Sequence, residues 1–70
     1  MRYLGALKTK DATILAAKDI ARKSKKIIVL QKGKDSKRHV LYRVWMDNNY
    51  KTKTGKIIWY SEWDLKYKGK

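Results

Sequence analysis

Arg43 and Trp45 stand two residues apart in the segment His39-Val40-Leu41-Tyr42-Arg43-Val44-Trp45-Met46-Asp47. In an extended chain that spacing puts a planar cation and an aromatic ring on one surface. Two Lys-rich segments flank the stretch: Lys34, Lys37 and Arg38 precede it, and Lys51, Lys53 and Lys56 follow it. Cations placed this way engage phosphates, and a Trp face stacks on a base. Thr52 and Thr54 add hydroxyl donors, and Gly55 lets backbone approach a ligand closely. The chemistry is recognition of a polyanion, and the expected site is Lys34, Lys37, Arg38, Arg43, Trp45, Lys51, Lys53 and Lys56.

Reaction chemistry finds less support. Asp47 and the run Glu62-Trp63-Asp64-Leu65-Lys66 include an Asp-x-Lys spacing of the kind metal-dependent nucleases use, where carboxylates hold Mg²⁺ and a Lys steadies developing charge. So short a pattern arises by chance in a Lys-rich chain, and Glu62 and Asp64 are expected to pair with lysines across a sheet. His39 is the single His and there is no Cys, too few ligands for a zinc site. No nucleophile motif, phosphate-binding Gly-rich loop or dinucleotide fingerprint occurs. The expectation is a protein that is not an enzyme and uses no cofactor and no metal.

The charge behind this reading is large. Nineteen Lys and Arg against six Asp and Glu give a net +13 in 70 residues. Residues 1–35 carry +7 and residues 36–70 carry +6, so the charge belongs to the body of the chain. Self-repulsion at this density opposes compaction at low salt, and a bound polyanion relieves it. Three Trp, five Tyr and several Ile/Val clusters set the chain apart from disordered basic tails. The length fits one thin-cored domain over 1–70, with a frayed basic C-terminus at 66–70. No apolar run is long enough to cross a bilayer, and the expected setting is cytoplasmic, without a membrane partner.

The elements that must position these residues are one helix and three strands. Ala12 to Lys23 reads as the helix, capped by Thr9 or Asp11, with Ala16, Ala17, Ile20 and Ala21 as its apolar face and Thr13 and Ile14 on the flank. Leu15 points to the polar side. The strands are Lys26 to Lys32, His39 to Asp47, and Lys56 to about Asp64, rich in Val, Ile, Trp and Tyr. Alternation puts Val40, Tyr42, Val44 and Met46 against the helix, and His39, Leu41, Arg43 and Trp45 on the other face. Connections at 33–38 and 48–55 suit an antiparallel meander. Arg2 to Leu7 forms a possible extra strand at its edge. The predicted fold is therefore α+β, one N-terminal helix packed on a three-stranded antiparallel meander. Its two open edges leave room for an edge-to-edge dimer.

The helix-then-three-strands order resembles a double-stranded-RNA-binding domain, a fold that needs a second helix after the sheet. Leu65 to Lys70 is too short to supply one.

The partner expected from these residues is nucleic acid, with DNA slightly favoured over RNA, held mainly through backbone phosphates with low sequence specificity. The alternative is a small basic modulator or inhibitor, of viral or mobile-element type, docking on an acidic protein.

Overall fold

The computed structural model describes residues 1–68. Strand β1 (Arg2–Leu7) leads into helix α1 (Lys10–Ser24), and strands β2 (Lys26–Lys34), β3 (Val40–Lys51) and β4 (Lys56–Trp59) follow. The chain then turns into a short helix, α2 (Tyr60–Trp63), which continues as π-helical turns over Asp64–Lys68. The rest of the expected frayed tail, 69–70, lies outside the described residues.

The fold is α+β, with α1 on one face of a mixed four-stranded sheet of order β1-β3-β2-β4. The meander is corrected in two ways. The N-terminal strand is a full member, antiparallel to β3. The last strand lies beside β2, parallel to it, and not beside β3. The reason lies in β2, where Ile27, Ile28, Val29 and Leu30 are all buried. A strand apolar on both faces needs an interior position with both faces covered. Burying each of these side chains contributes roughly 2 kcal/mol, so β2 anchors the domain. The four residues between β3 and β4 reach about 13 Å, enough to clear the roughly 10 Å across β2.

Helix α1 begins where its cap signal stands. Thr9 is the N-cap, its Oγ1 accepting from the Ala12 N–H at 3.3 Å. Thr13 turns its hydroxyl inward to the Thr9 carbonyl at 2.6 Å, which lets a polar side chain sit fully buried. Ala17 and Ala21 bring the helix close to Ile28, Leu30 and Val44, with Ile14, Ile20, Met46, Ile57 and Trp59 around them. Leu15, on the polar side, is 70% exposed.

The opposite face holds a second core of Ile27, Val29, Ile58 and Trp63. Trp63 comes from α2, which corrects the expected strand over Tyr60–Asp64. The aromatic spacing Tyr60-x-x-Trp63 is also a helical i, i+3 spacing, and the two rings stack with centroids 5.9 Å apart. A helical segment thus does follow the sheet, starting earlier than Leu65.

Strand β1 carries a bulge. Tyr3 pairs with Trp45 and Gly5 with Val44, leaving Leu4 as an extra residue, and Gly5 adopts φ +139°. No helix of the described residues is long and apolar enough to cross a membrane.

Candidate functional site

The structure distributes the expected site over three places. Arg43 and Trp45 lie on the sheet face away from α1, as alternation predicts. Their partners across β2 are Gln31 and Val29, and across β1 they are Ala6 and Tyr3. Helix α2 covers the β4 side of this face through Trp63, and among the described residues no element packs on its β1 side. Trp45 is half-buried, packed against the margin of the second core, and its indole N–H is buried with no acceptor among the described residues. The exposed ring at this place is Tyr3, 49% exposed, with its centroid 4.8 Å from that of Trp45 at a tilt of 55°. The guanidinium of Arg43 lies over Gly33, where any Cβ would collide with its Nη1. Gly33 thus leaves the gap that the Arg43 guanidinium occupies.

Lys34, Lys37 and Arg38 sit at one end of the β2–β3 hairpin. Asp35 organises that turn: its Oδ1 accepts from the N–H groups of Lys37 (2.9 Å) and His39 (2.8 Å). Arg38 occupies the left-handed region at φ 64°. The single His stands here, with Nδ1 3.7 Å from Asp35 Oδ2.

Lys51, Lys53 and Lys56 are at the other end of the sheet. Lys51 pairs with Lys26 and Val40 with Lys34, so the length of β2 separates the two basic loops, roughly 25 Å at about 3.3 Å per residue. The grouping of both loops around one spot is therefore corrected. They are two ends of the molecule.

What the second loop joins instead is the C-terminal end of α1. Lys18, Arg22, Lys25, Lys53 and Lys56 line a single groove of about 520 Å³, floored by Ala21, Gly55 and Ile57. Its walls are stitched by backbone. The Thr52 N–H donates to the Lys25 carbonyl at 2.9 Å, the Lys25 N–H to the Ala21 carbonyl at 2.7 Å, and the Gly55 N–H to Thr52 Oγ1 at 2.7 Å. Gly55, at φ +82°, packs where a Cβ would overlap the Ala21 carbonyl. Lys25 caps the helix in the left-handed region at φ 56°. The carbonyl end of a helix favours cations, which offsets part of their mutual repulsion.

Carboxylates offset few of the positive charges. Among the described residues, the carboxylate that pairs with Lys or Arg is Asp19, with Arg22 at 2.9 Å and Lys23 at 3.1 Å. Hydrogen bonds from Lys23 and then Arg22 hold the Asp19 carboxyl below its usual range. Glu62 and Asp64 are exposed on the C-terminal helical segment, where they form no cross-strand ion pair among the described residues. Asp47 is buried, accepting from Trp63 Nε1 at 2.8 Å and from the Asn49 N–H at 3.0 Å. It is the post on which α2 is fastened. No group of three or more acidic or His side chains comes together as a metal site among the described residues.

Lys18, Arg22 and Lys25 were not in the expected site. A signal for them existed in the basic last turns of α1, but the contact with the loop at 52–55 depends on β4 crossing beside β2. No protein-family model matches the chain, and comparison with curated proteins and with solved structures gave no match.

Proposed function

We propose that this protein is a non-enzymatic nucleic-acid-binding module that grips backbone phosphates with little sequence preference. The observation that carries the reading is the groove at the end of α1, where five cations from the helix and its cap, the β3–β4 loop and the start of β4 converge on a backbone-fixed scaffold. Phosphate oxygens entering it would replace like-charge repulsion with charge-assisted hydrogen bonds, and counterions released from the nucleic acid would add entropy. The spread of the charge over both halves of the sequence supports contacts that do not depend on base identity.

Affinity measured against salt tests this. Several phosphate contacts require binding to fall by orders of magnitude between about 50 and 200 mM salt. Weak binding that does not change with salt, for every nucleic acid tried, would sink the reading and promote an acidic protein as the partner.

A further inference from the structure

We propose that the uncovered half of the sheet, carrying Tyr3 and Arg43 beside Trp45, is a platform for unpaired bases, and that the nucleic acid this protein binds is single-stranded. The proposal rests on the phosphate-binding reading and adds to it the form of the partner.

Three observations carry it. The first is planarity. Tyr3 offers a half-exposed ring backed by Trp45 at 4.8 Å, and the planar guanidinium of Arg43 lies close against Gly33. Arg43 and Trp45 are about 7 Å apart along β3, so the platform presents two flat groups side by side. Flat rings and guanidinium planes are what splayed bases stack on, and bases inside a duplex cannot reach them.

The second is placement. The platform faces away from α1, and the cationic groove lies on the α1 side, at the β4 edge. Between them is a slab whose shortest dimension is 17 Å. A duplex is stiff over about 150 base pairs, so it cannot touch both faces of so thin a body. A single strand bends freely enough to lie on the platform and pass around the end of β2 to the groove.

The third is charge. An aromatic platform also suits an apolar protein partner, but this one is set in a chain of net charge +13 and carries the cation Arg43 itself. That surround complements a polyanion.

The experiment is fluorescence anisotropy with a labelled strand of about 16 nucleotides, alone and annealed to its complement, at one fixed salt concentration. Deoxy- and ribo-strands of the same sequence are run in parallel to separate the two sources of the same chemistry. The expected result is a preference for the single strand. Tyr3→Leu keeps an apolar group on Trp45 but removes the stacking ring, and should weaken single-strand binding about tenfold while leaving duplex binding unchanged. Tyr3→Phe keeps the ring and should bind as the parent does. Gly33→Ala lifts the Arg43 guanidinium without removing any charge, and should also weaken the single strand selectively. Far-UV circular dichroism and the thermal midpoint confirm the fold of each variant. Duplex binding equal to or tighter than single-strand binding would overturn the proposal, as would variants that weaken both forms alike or neither. Absence of binding to either form would bring down the phosphate-binding reading with it, so the two failures are distinguishable.

Discussion

Tyr3 lies against Trp45 because β1 holds one residue more than β3 over the same span. Tyr3 and Leu7 are four apart, and in an unbroken strand they would face the same way. The bulge at Leu4 and Gly5 shifts the register by one, so Tyr3 meets Trp45 on the open face while Leu7 joins the core under α1.

The bulge depends on Gly5 at φ +139°, a conformation that side chains resist although the space beside it is open. Gly5→Ala should therefore destabilise the fold by about 1–3 kcal/mol, read from chemical denaturation. A variant as stable as the parent would show that the bulge does not need glycine.

Trp63 and Trp45 should respond differently to the same substitution. Trp63→Phe removes the indole that Asp47 accepts from and leaves a buried carboxylate oxygen without its partner, adding about 1–3 kcal/mol to the loss of packing. Trp45→Phe removes an N–H with no acceptor, so packing alone is lost. Equal losses in denaturation would mean that the Asp47 bond contributes nothing net.

Lys25 and Lys53 share the groove, and Lys34 and Lys37 share the far hairpin. Replacing Lys25 and Lys53 with Ala should lower the slope of log affinity against log salt by about 1.8 for a duplex and about 1.4 for a single strand. The Lys34/Lys37 pair should change it less. The reverse ranking would move the phosphate contacts to the hairpin.

Lys25 also carries backbone strain at φ 56°. Lys25→Gly should stabilise the protein by up to about 1 kcal/mol while weakening its hold on nucleic acid. A gain in stability with undiminished binding would remove this side chain from the site.

Asp19 engages Arg22 and Lys23 in ion pairs that compete with any polyanion for them. Asp19→Asn should tighten polyanion binding and raise the net charge by one. The same pairing sets a pH dependence. Its carboxyl is lowered by folding, so the ion pairs are intact above roughly pH 4 and are lost as pH falls through the lowered value. Helix content of the parent should therefore decline slightly in acid, and Asp19→Asn should not show that part of the decline. Identical acid profiles would show that the pairs do not support the helix.

Much of this was legible in the residues. Thr9 and Asp11 both offered a cap for α1, of which Thr9 is the one used, so the helix starts at Lys10, two residues ahead of the expected start at Ala12. The alternation from Val40 to Met46 announced which face of β3 meets the helix. What escaped was the place of β4. The unbroken run Ile27-Ile28-Val29-Leu30 was a sign of an interior strand, yet a short connection made the neighbouring position look natural. With β4 beside β3, Lys53 would have stood far from Arg22. The turn into α2 escaped because Trp59, Tyr60 and Trp63 satisfy a strand's composition and a helix's spacing alike. The bulge left a weak trace in Gly5, whose meaning depends on pairing with residues 42–46.

The strand order β1-β3-β2-β4 also sets a timetable for the growing chain. The β2–β3 hairpin is the one local pairing in the sheet, so it suits the role of the early nucleus. Residue 3 waits for residue 45 before its strand has a place, and the groove waits for residues 53–56 to pass the end of β2. During synthesis the Tyr3 face and the groove are therefore both assembled late, after the hairpin has formed, and a nascent chain stopped before residue 50 has the beginnings of a sheet without the groove.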